Sequence, residues 1–273
     1  MTVFVNGEFV PAERAMVSVF DRGFLYGDGL FETMRVRRGQ PFRWEQHLDR
    51  LERGAKFLRI RMPFERAELA RLAAKLIEVN QLPDAVLRLM LSRGPGARGY
   101  SPRGANNPGF VMTLHPCPNP PASVRLVTAS MRIAAADPFA PFKIASRLTQ
   151  IMARAEAEDQ GGEEALLLNT AGHVAETASG NIFWIERDTL CTPPDETGAL
   201  HGVTRSVVLE LAAQLELPVA RRNIELAQLQ KSAGVFVTGS VAGVLPVSLL
   251  DGTPMPSHAS IGRLRAAYDA LLA

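Results

Sequence analysis

Hydrophobic and polar residues in the first part of the chain form short alternating runs, interrupted by two helical patterns. Residues 2–10 alternate around Asn6-Gly7, which predicts a β-hairpin. Apolar side chains recur at helical spacing over residues 44–59, and a second helix is predicted at residues 63–79. Further strands are predicted at 17–19, 30–36, 85–91 and 109–115, and a turn at 21–23. The order indicates a small domain of mixed helices and strands.

The second part of the chain alternates strands and helices more regularly. Strands are predicted at residues 124–128, 165–168, 173–176, 181–185 and 235–238. Helices are predicted at residues 146–159, from Val203 onward, and at residues 225–231 and 257–272. The alternation indicates a larger domain of the α/β class.

Two segments between the predicted elements are rich in glycine or proline. Residues 92–104, SRGPGARGYSPRG, cannot pack a core and predict a surface loop. Arg98 and Tyr100 on that loop could fold over a carboxylate as an anion clamp, and an ordinary solvated loop is an equal alternative. Residues 116–123 are proline-rich and predict a linker. We therefore expect one domain at 1–115 and a second at 124–273.

Composition and charge limit the classes of function. The chain has 273 residues, of which 47% are hydrophobic and 21% charged, as is typical of a globular protein with a sizeable core. A net charge of +2 and the lack of a basic run argue against a nucleic-acid partner. No apolar run reaches the roughly 20 residues of a membrane span, and the N-terminal residues do not resemble a signal peptide.

Cysteine and histidine are sparse and show no metal-binding spacing. Cys117 and Cys191 are far apart, and the five histidines form no HxH or HExxH motif. Two unpaired thiols are typical of a reducing compartment. We therefore expect a cytoplasmic protein without a catalytic metal.

Lysine is rare in this chain, so the candidates for amine chemistry are few. Only Lys56, Lys75, Lys143 and Lys231 occur among the 30 basic residues. Arginine does not form an imine at neutral pH, so such chemistry must use one of these four. The other three lie on polar helix faces or at a helix end, which leaves Lys143 as the candidate for a Schiff base with pyridoxal 5'-phosphate.

A pyridoxal cofactor at Lys143 would need further partners. A carboxylate must keep the pyridine nitrogen protonated, and Glu176 on a predicted strand is the candidate. Backbone N–H groups must hold the phosphate, and the turns at residues 202–205 and 239–241 offer them. Lys143, once freed by substrate, would also be the natural general base at the substrate carbon.

Six segments together resemble the class IV, fold-type IV pyridoxal-phosphate enzymes: D-amino acid aminotransferases, branched-chain aminotransferases and aminodeoxychorismate lyases. The segments are DRGFLYGDGLFET (21–33), HLDRL (47–51), FKIASRL (142–148), VAETASGNIFWI (174–185), GVTR (202–205) and GSVAGVLPV (239–247). The resemblance extends over almost the whole chain. It implies an α+β first domain, a larger α/β second domain that carries the lysine, and a cofactor in the cleft between them. It also implies a homodimer whose active sites share loop residues.

The resemblance further implies roles for single residues. For the cofactor it implies a Schiff-base lysine, a pyridine-nitrogen partner, a phosphate-binding arginine and two phosphate-binding turns: Lys143, Glu176, Arg50, then Val203 with Thr204, and Ser240 with Val241. For the substrate it implies Arg98 and Tyr100 as a carboxylate trap, with Tyr26 and Phe31 lining the pocket. Core packing is an equal alternative for Phe31.

The reaction stays open between related activities. The leading interpretation is an aminotransferase acting between a small amino acid or amine and a 2-oxo acid, with D-selectivity as an open alternative. The second is an aminodeoxychorismate lyase, which converts 4-amino-4-deoxychorismate into 4-aminobenzoate and pyruvate. The SRGPGARGYS loop favours the lyase, whereas the segment after Lys143 departs from the lyases' usual KHxNRL pattern. Leu148 stands where branched-chain enzymes have a tyrosine. A non-catalytic binding protein on the same scaffold is a remote third possibility.

Overall fold

The computed structural model describes residues 1–119 and 121–273 and divides the chain into two compact units. The first unit contains Met1–Pro118 and Phe142–Ser146, and the second contains Asn119–Pro141 and Arg147–Ala273. The first change of unit lies within the expected linker. The lysine segment differs from our expectation, because it joins the first unit rather than the second. The reason is its hydrogen bonding: the Phe31 N–H donates to the Lys143 carbonyl at 2.9 Å.

The first unit is a six-stranded antiparallel sheet with two long helices packed against it. In chain order its elements are β1 (Thr2–Val5), β2 (Glu8–Pro11), α1 (Arg22–Tyr26), β3 (Gly29–Arg37), β4 (Gln40–Pro41), α2 (Trp44–Leu58), α3 (Arg66–Asn80), β5 (Ala85–Ser92) and β6 (Gly109–Pro116). The strand order is β2-β1-β6-β5-β3-β4. Helix α2 buries Leu48, Leu51 and Ala55, which recur on one side of the helix, in the core of this unit.

Most predictions for the first unit are confirmed, and two are wrong. The hairpin turns at Asn6 and Gly7, both with positive φ, as the sequence predicted. The predicted strand at residues 17–19 is instead an exposed connection, in which Val17 is 54% exposed. The predicted turn at residues 21–23 begins helix α1, because the Asp21 carboxylate accepts the Gly23 N–H at 2.7 Å and caps the helix.

In its described residues, the second unit contains a nine-stranded mixed sheet and four α-helices. In chain order its elements are β7 (Val124–Ile133), α4 (Leu148–Asp159), β8 (Glu164–Asn169), β9 (Val174–Thr177), β10 (Asn181–Glu186), β11 (Thr189–Thr192), α5 (Val203–Gln214), β12 (Val219–Arg221), α6 (Leu226–Leu229), β13 (Gly234–Gly239), β14 (Gly243–Leu250), β15 (Thr253–Pro254) and α7 (Ala259–Ala270). The strand order is β12-β11-β10-β13-β14-β7-β8-β9, and β15 pairs with β14. Pairing of β9 with β10 closes the strands between them into a ring.

The predicted elements of the second unit are all present, but several strands lacked a clear sequence signal. β11 and β12 are short, and the segment of β14 was recognised in the sequence only as part of a small-residue turn. The parallel pairs are β7 with β8, β7 with β14, and β11 with β12. Within residues 1–119 and 121–273, no helix has the length and apolar content needed to cross a membrane.

Candidate active site

Lys143 lies in a short segment that runs along the beginning of β3. The Phe31 N–H donates to its carbonyl at 2.9 Å, and the Ala145 N–H donates to the Gly29 carbonyl at 2.8 Å. These two bonds fix the backbone from which the lysine side chain extends. Its Nζ lies 4.5 Å from the centre of the Phe31 ring, so Phe31 contacts the amine directly and is also buried.

Arg88 on β5 is a residue that the sequence did not single out. Its guanidinium carbon lies 4.2 Å from the Phe31 ring centre, so this ring carries both Arg88 and Lys143 within 5 Å. Burial lowers the pKa of Arg88. Within the part of the chain that the structure describes, no carboxylate forms an ion pair with it. A partly desolvated guanidinium of this kind is suited to bind an anionic substrate group. The sequence signal was one charged residue inside an otherwise apolar strand.

Glu32 on β3 is the centre of a buried charged cluster. Arg50 donates from Nε to Glu32 Oε1 at 2.8 Å and from Nη2 to Oε2 at 2.7 Å. His47, one turn before Arg50 on α2, lies 2.7 Å from Oε2 through its Nδ1. Burial alone would raise the pKa of Glu32, but Arg50 and His47 hold it at about 2, so the carboxylate is charged at neutral pH. The cluster therefore fixes the guanidinium of Arg50.

The same cluster contains two residues that the sequence analysis missed. Glu32 and His47 lie inside the motifs DRGFLYGDGLFET and HLDRL, but nothing in their spacing indicates that they meet. Burial lowers the pKa of His47, and this effect outweighs the opposing effect of Glu32. The imidazole is therefore neutral at pH 7, and its Nδ1–H donates to Glu32 in the tautomer that we assign. The phosphate-binding role of Arg50 stays a prediction.

The loop of residues 93–108 connects β5 to β6 and carries Arg98 and Tyr100. Both side chains are exposed, and that of Tyr100 is 88% exposed. The ring of Tyr26 lies 5.7 Å from the ring of Tyr100, and its hydroxyl accepts the Gly99 N–H at 3.1 Å. The structure therefore places Tyr26 beside Tyr100 and against the loop backbone one residue after Arg98.

Glu176 on β9 is buried in the second unit and is bound by a main-chain N–H and a side-chain amide. The Leu200 N–H donates to its Oε2 at 2.8 Å, and the Gln150 amide contacts Oε1 at 3.4 Å. The Asn181 amide donates to the Leu200 carbonyl at 2.7 Å, so Leu200 is held from both sides. This arrangement gives the carboxylate one defined orientation in a buried place, as a partner of a cationic ring nitrogen requires.

A row of polar side chains crosses three neighbouring strands of the second unit. Glu176 pairs with Asn181, and Asn181 pairs with Thr238 on β13. Directly opposed residues in antiparallel strands point to the same side of the sheet. Among residues 1–119 and 121–273, the buried Thr238 Oγ1 has no hydrogen-bond partner. A buried hydroxyl without a partner is costly, which indicates that a polar ligand group completes this row.

Two turns near this row present main-chain N–H groups. Helix α5 begins at Val203, and its N-cap residue is Gly202. Among the described residues, no side chain hydrogen-bonds to the N–H groups at this helix start, and the first turn contains no acidic residue. Val203 and Thr204 are both buried. The open N-terminus of a helix attracts anions through its N–H groups and its dipole. Ser240 and Val241 form the second turn, shortly after Thr238 and between β13 and β14.

Gly202 has a clear reason to be a glycine. Its φ of −70° suits any residue, but an added Cβ would lie 2.0 Å from the Asn181 side-chain oxygen. The first turn can therefore approach the polar row only without a side chain. The first unit supplies an amine, Lys143. The second unit supplies a buried carboxylate, a buried hydroxyl without a partner among the described residues, and two turns with main-chain N–H groups. Each set is of the kind that binds pyridoxal phosphate. In the described ranges, His, Cys, Asp and Glu form no group suited to a metal ion.

A sequence model of the family described as amino-transferase class IV matches residues 29–250. The provisionally named branched-chain-amino-acid aminotransferase of Methanocaldococcus jannaschii is 36% identical over 92% of this chain and 88% of that protein. An aminodeoxychorismate lyase of Bacillus subtilis is 32% identical, with coverages of 91% and 86%. A D-alanine aminotransferase of Bacillus licheniformis is 29% identical, with coverages of 95% and 92%.

Solved structures give the same pattern of similarity. A branched-chain aminotransferase from Thermoproteus uzoniensis, crystallised with norvaline, matches with a TM-score of 0.94 and 28% identity over 100% of this chain and 95% of that one. A branched-chain aminotransferase from T.th., solved with pyridoxamine 5'-phosphate, matches with a TM-score of 0.92 and 28% identity, at 99% and 94% coverage. A 4-amino-4-deoxychorismate lyase from Pseudomonas aeruginosa is 35% identical with a TM-score of 0.86, at 97% coverage of both chains.

Proposed function

The chain belongs to the class IV aminotransferase family and is a pyridoxal-phosphate-dependent enzyme of fold type IV, and we propose that it transfers an amino group from a small amino acid to a 2-oxo acid. The observation that carries this proposal is the presence of two groups, the Lys143 amine on a segment bound to β3 and the buried Glu176 carboxylate, which accepts the Leu200 N–H. Transamination needs one amine that exchanges with substrate and one acid that stays ionised.

Each proposed cofactor residue has a defined task. When bound, pyridoxal phosphate supplies an aldehyde that joins covalently to an amine and a ring that withdraws electrons from the substrate carbon. Lys143 Nζ holds the cofactor and, once released, takes the proton from the substrate Cα. Glu176 keeps a proton on the pyridine nitrogen. Arg50 and the N–H groups at Val203–Thr204 and Ser240–Val241 bind the phosphate.

The position of Arg88 favours a dicarboxylic substrate in one of the two half-reactions. Its guanidinium and Lys143 contact the same Phe31 ring, so an amino acid that reacts at Lys143 has a cation nearby for a second carboxylate. We therefore propose that glutamate or 2-oxoglutarate serves as one amino donor or acceptor. The Arg98 and Tyr100 side chains, exposed on their loop, would bind the α-carboxylate.

The substrate test compares amino acids with and without a side-chain carboxylate. Arg88→Gln should raise KM for glutamate roughly a hundredfold, because a charge-assisted pair is lost, and should change KM for alanine little. Arg53→Gln, on the exposed face of α2, is the matched control and should change neither value. An equal rise for both amino acids would contradict the assigned role of Arg88. Assaying the L- and D-forms of each amino acid determines which enantiomer the enzyme prefers.

The lyase is the second candidate, and the similarity to lyases is the observation that favours it. Its substrate, 4-amino-4-deoxychorismate, is also anionic and would suit Arg88. Pyruvate released with 4-aminobenzoate and without a 2-oxo acid acceptor would establish the lyase. Turnover that requires an added 2-oxo acid would establish the aminotransferase.

We further propose that the enzyme works as a homodimer in the cytoplasm. Each unit exposes apolar side chains that water does not favour: Met16, Val19, Phe20 and Phe24 in the first, and Leu148, Ile151 and Met152 on α4 in the second. Clusters of this kind are typical of protein interfaces. Both cysteines are free thiols, which suits a reducing compartment. Sedimentation should give a dimer at micromolar concentration, and a stable monomer would contradict the proposal.

Mixing two impaired variants, assayed at a substrate concentration well below KM, tests whether the active sites share loop residues. Lys143→Ala and Arg98→Ala each damage a different part of the proposed site. If Arg98 acts in the partner subunit's site, a mixed dimer contains one intact site and should regain up to about half of the activity of one normal dimer. If Arg98 serves its own subunit, mixing should restore nothing.

A further inference from the structure

Arg22, on the short helix α1, is a buried arginine whose contacts lead to the tip of the 93–108 loop. Its side chain is almost completely buried. Its Nη1 donates to the Gly99 carbonyl at 2.8 Å, and its Nη2 donates to the Tyr100 carbonyl at 3.1 Å. One guanidinium therefore holds two consecutive carbonyls of the loop, directly beside the Arg98 and Tyr100 side chains.

The guanidinium of Arg22 is itself fixed by charge. Its Nε donates to Asp28 at 2.9 Å, and Arg93 binds the same carboxylate with Nε at 2.7 Å and Nη2 at 2.9 Å. Burial opposes ionisation of Asp28, but Arg93 and Arg22 lower its pKa, so the carboxylate is charged at neutral pH. Arg93 also donates to the carbonyls that end α2, at Leu58 and Arg59. The loop is thereby connected to a rigid helix.

Tyr26 is the second residue that binds the backbone of the loop tip. Its ring lies under the Arg22 guanidinium at 4.9 Å, and its hydroxyl accepts the Gly99 N–H at 3.1 Å. Both polar groups of the Gly99 backbone are therefore bound, the carbonyl by Arg22 and the N–H by Tyr26. A glycine-rich loop would otherwise have many conformations of similar energy, and ordering them during substrate binding would weaken affinity.

We propose that Arg22 is a positioning residue that holds the loop tip so that Arg98 and Tyr100 form a prearranged clamp for the substrate carboxylate. This role rests on the proposed function of Arg98 and Tyr100. Arg22 does not need to touch the substrate. It acts through the loop backbone, with Asp28 and Arg93 as its anchor and Tyr26 as its second contact.

The test uses the holoenzyme and two readouts. Trypsin cuts after Arg98 and Arg103, so its cleavage rate there reports directly whether the loop is ordered. Arg22→Lys keeps the charge beside Asp28 but cannot hold both carbonyls. It should speed cleavage after Arg98 about tenfold and raise KM for the amino acid about tenfold, with kcat nearly unchanged. Arg53→Lys is the matched control and should behave as the wild type.

A double-mutant cycle separates this role from the clamp itself. Arg98→Ala should raise KM by a similar factor, and adding Arg22→Lys to it should raise KM little further, because both changes disable the same clamp. Unchanged cleavage in Arg22→Lys would overturn the proposal, and so would faster cleavage with an unchanged KM. An unchanged KM in Arg98→Ala would instead overturn the clamp, whatever Arg22 does to the loop.

A second variant covers the case in which Arg22→Lys fails to fold. Tyr26→Phe removes only the hydroxyl that accepts the Gly99 N–H and keeps the ring under the guanidinium. It should speed cleavage after Arg98 and raise KM in the same direction, by about threefold each. A Tyr26→Phe enzyme that matches the wild type in both readouts would contradict the proposal that these hydrogen bonds order the loop tip.

Discussion

The two units prepare charged groups for chemistry in different ways. In the first unit, carboxylates fix arginines: Glu32 holds Arg50 with two hydrogen bonds, and Asp28 holds Arg22 and Arg93. In the second unit, main-chain N–H groups lie at the proposed cofactor residues. The Leu200 N–H orients Glu176, and the open N-terminus of α5 and the turn at Ser240 offer N–H groups.

This difference indicates which substitutions each unit tolerates. Where side chains carry the positioning, removing one carboxylate leaves buried cations without a partner, which is costly. Where the backbone carries it, most side-chain changes have little effect, and the sensitive positions are those where the backbone must approach closely. The comparison therefore predicts charge-sensitive positions in the first unit and shape-sensitive positions in the second.

The largest expected effect is loss of the amine in the first unit. Lys143→Ala should lower kcat at least about a thousandfold, because no other group can exchange the cofactor with substrate. Its fold should persist, with an unchanged circular dichroism spectrum and sedimentation coefficient. Lys56→Ala, an exposed lysine on α2, is the control and should keep full activity. Normal turnover by Lys143→Ala would refute the assignment.

The next largest effect tests the charged cluster of the first unit. Glu32→Gln should lower the free energy of unfolding by about 3 kcal/mol at pH 7, because Arg50 loses its buried carboxylate. The folded pKa of about 2 lies below the unfolded value of 4.5. The stabilisation is therefore complete above pH 4.5 and should disappear as the pH falls toward 2. Urea titrations at several pH values measure it.

An exposed carboxylate provides the comparison for that measurement. Glu45 pairs with Arg66 on the surface, with side-chain exposures of 67% and 37%. Glu45→Gln should change the free energy of unfolding by less than about 1 kcal/mol. Equal effects of Glu32→Gln and Glu45→Gln would show that the buried cluster contributes nothing special to the first unit.

Glu176→Gln tests the one carboxylate on which the proposed chemistry of the second unit depends. Glutamine keeps the shape and can still accept the Leu200 N–H, but it cannot hold a proton on the pyridine nitrogen. We expect kcat to fall about a hundredfold with cofactor still bound. Glu186→Gln, at the C-terminal end of the neighbouring strand β10, serves as the control. A kcat within about twofold of the wild type would remove Glu176 from the mechanism.

The smallest expected effect concerns a position of the second unit where shape matters and charge does not. Gly202→Ala places a methyl group against Asn181 and should weaken cofactor binding roughly tenfold. Gly262→Ala lies on α7, where an added Cβ meets nothing within 4 Å. It should leave cofactor affinity unchanged and raise stability by up to about 1 kcal/mol. Fluorescence titration with pyridoxal phosphate measures both affinities, and equal affinities would contradict the role of the turn.

The sequence predicted best those features that local patterns determine. Helices α2 and α5, the Asn6-Gly7 hairpin and the open loop before Gly109 follow from spacing and turn residues. The strand predicted at Val17 and Val19 is absent because apolar alternation alone does not distinguish a strand from an exposed connection. β11 and β12 are too short to give a pattern.

Contacts between segments that are distant in the chain could not be predicted from the sequence. The rarity of lysine was enough to select Lys143, but its place in the first unit depends on hydrogen bonds to β3 that no spacing reveals. The meeting of Glu32 with His47 and Arg50, and of Arg22 with the loop tip, depends on tertiary packing. Arg88 was missed because its one signal, a charged residue inside a largely apolar strand, has no motif around it.

The most direct test of the central claim is chemical labelling of the lysine. The purified protein is incubated with pyridoxal phosphate, reduced with borohydride, digested and mapped by mass spectrometry. We expect a reduced phosphopyridoxyl group on Lys143 and on no other lysine, and none in Lys143→Ala. Modification at Lys56, Lys75 or Lys231 with Lys143 untouched, or no modification at all, would contradict it.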